Sequence, residues 1–585
     1  MQKNQYPVLL RRLFTAWLTA AALEYLLLPK DLRALDHLSG IVQMSFPRLL
    51  AVTALVVFWL FIANKEKAER FFLPGLWLIL SAATLNASFS WPFLTACLLV
   101  LAVLTVYSLR GWDAKSGATK PNAEKDSLCT HITLGLTLAF FAFVSLWTLC
   151  RIWNYNTPSY DFGIFSQMFH SMKETGLPIT TLERDGPLSH FAVHVSPIYY
   201  LMLPGYILFP YPETLQLQQA AVMASAVIPM WMLGKLHGLT PKNRLLLCAL
   251  LLFYPAFAGG AGYDLHENCF LTPCILWLFY GIDRKWGLIT VVFALLTMMV
   301  KEDAPVYTAV IGLWLLVRSL LRKDPWGRGA GILILSLSLA WFLGATAYLS
   351  NRGDGVMTGR YSNFIYDGSG SLLTLVKAVF LCPMKALFEC TDPEKLPFLA
   401  MTALPLLGLP LLTRRYENYI LLIPYILLNL LSDYRYQHDI FFQYTFGSTA
   451  CLMYLTLLHL PKKHTAAVLT VAVLIAASCF SYKVVPKAMD YPVRCIRNYE
   501  RNQSIRQILN QIPETASVSA STFYTVPLSA RPILYDLEHS SLEHILATEY
   551  VVVSHADEEI HALLLQNGYT PTAKLEDVLT LYRKE

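Results

Sequence analysis

The chain has 585 residues, 55% of them hydrophobic and only 15% charged, with a mean hydropathy of +0.45. Soluble globular chains carry roughly 25% charged residues, so the deficit excludes a cytosolic enzyme, a disordered scaffold and a nucleic-acid binder with a broad basic face. The net charge of +6 is too small to define a partner, and 13% aromatics, with 13 Trp and 31 Tyr, suit a protein with many membrane–water interfaces.

A bilayer core of about 30 Å takes roughly 20 apolar residues per helix, and runs of that kind predict about fifteen transmembrane helices. Four come first, near 8–28, 47–63, 71–89 and 92–109. No signal peptide is cleaved from them, because Glu24 and Pro29 follow the first apolar run without a small-residue cleavage site. A Gly-, Pro- and charge-rich linker follows, from Gly111 to Ser127. Eleven further candidates lie near 130–152, 214–234, 245–262, 269–282, 286–300, 304–317, 329–350, 396–413, 418–432, 441–460 and 464–482. These segments divide the chain into an N-terminal four-helix extension with its linker (1–128), a membrane core (129–483) and a soluble α/β tail (484–585).

The segment 195–210 is apolar but short, and proline falls at 197, 204 and 210. Lys/Arg bias decides how to treat it. If it does not cross, one side collects Lys65/Lys67/Arg70, Lys115/Lys120/Lys125, Lys235/Lys242/Arg244, Arg284/Lys285, Arg318/Arg322/Lys323/Arg328, Arg414/Arg415 and Lys462/Lys463, and that side is cytoplasmic. If it crosses, the clusters alternate sides and the bias disappears. The segment therefore reads as juxtamembrane or re-entrant. The N-terminus, with Lys3, Arg11 and Arg12, is then inside and the C-terminal domain outside the cytoplasmic membrane.

That topology gathers the acids and histidines on the outer face, where membrane-edge acids usually face a polar cavity. In the first outer loop (153–194), Asp161 can act as a general base towards a hydroxyl or cap the helix that follows. His190 and His194 have i, i+4 spacing and would share a helix face. Phe191 stands where a zinc-protease motif has its Glu, so substrate contact is favoured over metal there. The run Tyr263-Asp264-Leu265-His266-Glu267-Asn268 is more polar than a simple turn needs, although a water-exposed turn would read the same. Lys301-Glu302-Asp303 interrupts an apolar stretch from 286 to 317, either as a self-neutralising turn or as an anion contact beside carboxylates for metal or proton transfer. Arg360, within 355–363, offers a phosphate fork, and Arg435 and His438 stand in the turn 433–439.

Most of the 11 cysteines lie in apolar helices as inert core residues, while Cys382 and Cys390 share an outer loop that admits a disulfide. No CxxC, Walker A, GxSxG or GxGxxG fingerprint is present, which speaks against ATPase, redox and serine-hydrolase chemistry. In the tail, a charged helix (497–511) precedes strands at 516–521, 532–535, 550–554 and 579–582, predicting a small parallel sheet of three or four strands with no phosphate loop.

The run Tyr160-Asp161-Phe162-Gly163-Ile164-Phe165, with His194-x-Ser196-Pro197-Ile198 and Leu203-Pro204, resembles prokaryotic predicted membrane proteins of domain-of-unknown-function family twenty seventy-nine. Tyr254-Pro255, Asp264-x-His266-Glu267, Lys301-Glu302-Asp303, Ser519-Ala520-Ser521 and Leu528-Ser529-x-Arg531 fit the same family. It resembles in turn the GT-C class of integral-membrane glycosyltransferases, which take sugars from polyprenyl-phosphate carriers outside the cytoplasmic membrane. The resemblance implies a GT-C-like polytopic α-helical fold and a role for Asp161 as base. His190, His194, Asp264, His266, Glu267, Lys301, Arg360, Arg435 and His438 would then contact substrate, and Glu302 and Asp303 would hold Mg or Mn if a metal is used. Partners would be membrane lipids, the lipid-linked sugar donor and a glycan, lipid or protein acceptor, with no nucleic acid. Two competing readings are a transporter or lipid-linked sugar flippase, with the same charges lining a path, and a non-catalytic envelope assembly factor.

Overall fold

The computed structural model describes residues 6–110, 127–353, 358–367, 371–413, 415–555 and 558–585. Lys3, the linker cations Lys115, Lys120 and Lys125, residues 355–357 and Arg414 fall outside them. Seven helices are long and apolar enough to cross a bilayer: Phe46–Ala63, Trp91–Ser108, Ser127–Trp153, Pro212–Leu236, Pro305–Arg322, Pro325–Arg352 and Thr465–Arg497. An eighth span would be Pro241–Phe253 with Pro255–Ala261, bent by 52° where Pro255 lacks an N–H. The protein is a multi-pass helical membrane protein.

Of the remaining apolar runs, the first forms the unbroken 21-residue helix Tyr6–Leu26, and the others form shorter or broken helices. Phe72–Ala87 and Gly287–Met298 stop short of a full span. The runs at 396–413 and 418–432 fragment into Leu396–Ala403, Leu409–Leu411, Tyr416–Leu422 and Tyr425–Leu430. Pro405, Pro410 and Pro424 punctuate them, with Gly408 at φ +64. In the segment 195–210 the pieces are Pro197–Leu201 and Leu203–Leu208, too short to cross.

In the N-terminal unit, the first helix, Tyr6–Leu26, is tied to the turn before Phe72–Ala87 by Glu69, which meets Arg12 at 2.8 Å and Arg11 at 3.2 Å, all three buried. The unit leans on the helices Leu372–Leu381 and Pro383–Cys390. There Trp17 donates to the Phe380 carbonyl at 3.0 Å, and Lys385 to the Leu35 carbonyl at 2.8 Å. Cys382 and Cys390, which share a loop that admits a disulfide, are both free thiols in this structure, as is every other cysteine of the chain.

The tail folds into a five-stranded sheet with spatial order Leu534–Asp536, Val518–Ala520, Tyr550–Ser554, Leu579–Lys584, Tyr569–Leu575. The first three run parallel, and Leu579–Lys584 is antiparallel to both of its neighbours, Tyr550–Ser554 and Tyr569–Leu575. The expected all-parallel sheet is therefore mixed. The strand missed from the sequence, Tyr569–Leu575, is an edge strand with Pro571 inside it and mostly exposed side chains, so it carries no apolar run. This sheet seats on the loop that bears Asp161. The Ser159 hydroxyl donates to the Asp536 carboxylate and lies 2.9 Å from Thr525 Oγ1, and its own N–H donates to Thr522 Oγ1 at 3.0 Å. Buried Gln167 donates to Thr181 Oγ1 at 2.9 Å, and Thr181 Oγ1 accepts from the Leu534 N–H at 3.0 Å.

Candidate active site

Asp161 follows Trp153, the last residue of the span Ser127–Trp153, by eight positions and opens the way into the helix Ile164–Thr175. Its backbone stands at φ 62, ψ −79, close to the strained γ-turn that non-glycine residues rarely adopt. Strain of this kind persists where the surroundings over-determine it, and it clusters at functional sites. The Tyr263 hydroxyl donates to Asp161 Oδ2 at 2.6 Å, and Oδ1 has no hydrogen-bond partner among the described residues. Burial raises the Asp161 pKa, with the Tyr263 bond and Lys301 opposing and Glu267 adding to it. A carboxylate held by one oxygen and open at the other is suited to take a proton.

Tyr263 is held in turn by the turn it belongs to. Arg151 donates to the Gly262 carbonyl at 2.9 Å and grips Asp264 through both nitrogens, at 2.9 and 3.0 Å. Buried Gln219 donates to the Tyr263 carbonyl at 2.9 Å and accepts from the His266 N–H at the same distance. Asp264 is pushed up to about 6 by burial, against the pull of Arg151. It is buried behind this pair and fixes the turn, a different place from the substrate contact expected of it. Gly262 lets the turn lie against Trp147, since a Cβ there would fall 2.2–2.4 Å from a ring that is itself 1% exposed. Gly262→Ala therefore lowers the melting point of the detergent-solubilised protein, at a cost of about 1–3 kcal/mol, and misplaces Tyr263.

Behind Asp161 sits a buried ion cluster. Lys301 Nζ meets Glu267 Oε1 at 3.2 Å, while the Tyr199 hydroxyl donates to Glu267 Oε2 at 2.5 Å and accepts from the Glu267 N–H at 3.0 Å. Burial works to raise the Glu267 pKa, and His266, Lys301, His194 and His190 overcome it, holding the carboxyl well below the usual range. Burial lowers His266 to about 3, so its ring is neutral, in keeping with Nδ1 accepting from the Asn268 N–H at 3.3 Å.

His190 and His194 do stand i, i+4, with ring centroids 5.8 Å apart, but each takes its own carboxylate. His190 Nδ1 meets Glu183 at 2.9 Å, and His194 Nδ1 meets Glu302 Oε1 at 2.9 Å. Glu302 also accepts from the Val195 N–H at 3.1 Å. Burial raises the Glu302 pKa, but His194 outweighs it and brings the carboxyl down to about 2. Burial raises Asp303, with Lys301 opposing. Glu302 is thus already engaged, which leaves Asp303 as the open ligand of the pair expected to hold a metal. Among the described residues, the one group of three ligand side chains within reach of a common ion is Asp536, Glu538 and His539, in the C-terminal domain.

Arg360 lies between the rings of Tyr434 (4.8 Å) and Tyr444 (5.1 Å). Tyr444 is in electrostatic reach of Arg360, Lys301 and Asp161 at once, which brings Arg360 to the same site. Arg435 is exposed over the Tyr436 ring, which packs on Tyr434 and Phe442 at 5.1 and 4.4 Å, and His438 faces Lys395, Glu394, Asp392 and Asp439; among the described residues neither touches the Asp161 cluster directly. Sequence reading missed Tyr199, Gln219 and Arg151. Arg151 alone left a signal, as a cation closing an otherwise apolar helix.

The sequence pattern of DUF2079, described as a predicted membrane protein, matches residues 151–578. The chain belongs to the DUF2079 family. The matched stretch begins at Arg151, the residue that clamps Asp264, and takes in the whole site and most of the C-terminal sheet. It leaves out the four N-terminal helices, as the resemblance in sequence does. No curated protein matches the chain at a significant level. Two solved structures are similar to it, both of ArnT from Cupriavidus metallidurans. The one bound to undecaprenyl phosphate is 12% identical, covers 77% of this chain and 97% of its own, and has a TM-score of 0.49. The apo form covers the same shares at 12% identity, with a TM-score of 0.36.

Proposed function

We propose that this DUF2079 protein is a GT-C-type glycosyltransferase that moves a sugar from a polyprenyl-phosphate donor to a hydroxyl acceptor at the outer face of the cytoplasmic membrane. One observation carries the reading: Asp161, on a strained turn, keeps one carboxylate oxygen open at the edge of the membrane helices, within electrostatic reach of Lys301. The placement of the site outside is supported by the helix ends. The helices Leu271–Arg284 and Pro305–Arg322 start beside the site at 264–268 and 301–303 and finish in Arg284 and in Arg318 and Arg322. Cations at the far ends are what an inside-positive topology requires.

In the reaction, the acceptor oxygen attacks the anomeric carbon opposite the phosphate, forming the new glycosidic bond. The bond from that carbon to the phosphate oxygen breaks, and its electron pair leaves with polyprenyl phosphate. Asp161 takes the acceptor proton, as the base of an inverting displacement does. Lys301 and Arg360 hold the phosphate, while Glu267, His266 and Tyr199 keep Lys301 in place.

Membranes containing the protein, given a polyprenyl-phosphate sugar labelled in the sugar, are expected to pass the label to an acceptor and release polyprenyl phosphate. Label that only changes leaflet, still attached to its lipid, overturns the reading in favour of a flippase. The pH profile supplies a further expected result. An ordinary aspartate titrates at about 3.9. Because burial raises Asp161, the acid limb of kcat/KM lies above that value, with activity lost as pH falls and the base is protonated.

A further inference from the structure

The helix that delivers the Asp161 loop, Ser127–Trp153, packs against the end of the one that delivers the C-terminal sheet, Thr465–Arg497. Their seam is specific. Asn498 and Asn502 donate to Asn154 Oδ1 at 3.2 and 3.1 Å, and the Arg151 guanidinium lies 5.8 Å from the Tyr491 ring. Beside these contacts, the Cys495 thiol donates to the Cys150 backbone carbonyl at 3.0 Å, and the two thiols are close enough to perturb each other's ionisation. Cys495 lies thirty residues beyond Thr465, or about 45 Å along a helix at 1.5 Å per residue, which carries it past a hydrocarbon core of about 30 Å.

We propose that Cys150 and Cys495 are a modification site, joined in an intramolecular disulfide that fixes the C-terminal sheet over the Asp161 loop. The inference rests on the outer-face orientation proposed above, because disulfides form and persist in extracytoplasmic compartments. The oxidant is an oxidised dithiol protein of that compartment. Cys495 is partly exposed and Cys150 is buried, which sets the order of steps. The Cys495 thiolate attacks the oxidant's disulfide and expels one of its sulfurs as a thiolate. The Cys150 thiolate then attacks Cys495 Sγ and expels the other. Two thiol protons pass to the two leaving thiolates, so the protein loses two electrons and the oxidant becomes a dithiol.

Intact cells containing the full-length protein are treated with N-ethylmaleimide to trap free thiols. The protein is then purified in detergent, digested without reductant and read by mass spectrometry. The linked peptide pair containing Cys150 and Cys495 is expected in most molecules. It disappears with dithiothreitol or in Cys495→Ser, and it survives in Cys479→Ser. Recovery of both cysteines as maleimide adducts from cells overturns the inference. If copper–phenanthroline oxidation of the purified protein also yields no link, the contact itself is wrong. If that oxidation does yield the link, the fault lies with the compartment. Orientation is read separately, by labelling Gln566→Cys on the exposed helix Glu558–Gln566 with a membrane-impermeant maleimide. Failure of the glycosyltransferase reading shows only in the label-transfer assay, which this measurement does not use.

Discussion

Asp161→Asn lowers transfer of label from a polyprenyl-phosphate sugar by about 100- to 10,000-fold, the usual contribution of a positioned general base. It does so without lowering the melting temperature of the detergent-solubilised protein. The second half of that expectation comes from the local geometry. Asparagine keeps the shape of the side chain, its carbonyl oxygen can accept the Tyr263 hydroxyl, and it tolerates positive φ as well as aspartate does. It also removes a buried negative charge whose ionised form burial disfavours. The folded state therefore loses nothing it needs, while the reaction loses its proton acceptor. Transfer at the wild-type rate in this variant ends Asp161's role as base. Tyr263→Phe is the useful companion. It leaves the carboxylate but removes the donor that opposes its raised pKa, so the acid limb of the pH profile moves upward and activity returns at higher pH.

What could be read in the sequence follows a physical division. Charges that interrupt apolar runs are legible, because hydrocarbon does not tolerate them without a reason. The break at Lys301-Glu302-Asp303 between Gly287–Met298 and Pro305–Arg322, and the polar turn after Ala261, fall where the sequence puts them. The N-terminal apolar runs likewise become helices, at Tyr6–Leu26, Phe46–Ala63, Phe72–Ala87 and Trp91–Arg110, although Phe72–Ala87 is short of a full span. Pairings across long chain separations are not legible. Tyr199 reaches Glu267 across 68 residues, and nothing in the run of aromatics at 198–200 distinguishes it from an interfacial belt. Asp264 and Asp161 look alike in sequence, each an acid in an outer turn beside aromatics. Only the Arg151 clamp separates a structural acid from an open one. The i, i+4 histidines have the spacing expected, yet Glu183 and Glu302 draw them to separate tasks.

Lys301→Met is expected to destabilise the protein by about 3–5 kcal/mol, read by denaturant titration in detergent, because it strands the Glu267 carboxylate. Glu267 is 0% exposed and Lys301 is 3% exposed. Burial works to lower the Lys301 pKa, and Glu267, Glu302 and Asp303 raise it above the usual lysine range, so the ammonium is charged whenever the carboxylate is. The Glu267 pKa is depressed in the folded state. Its contribution to stability is therefore fully present above an ordinary glutamate's value of about 4.3 and is lost as pH falls below it. In Lys301→Met that contribution shrinks, and the variant's deficit relative to wild type narrows in acid. Glu267→Gln in the same background removes the stranded charge and recovers much of the loss, as pairs replaced together usually do. The double variant then separates folding from function. A stable protein with a raised KM for the polyprenyl-phosphate sugar gives Lys301 its place at the donor phosphate. A stable protein with unchanged KM and kcat confines the pair to holding the turn on which Tyr263 meets Asp161.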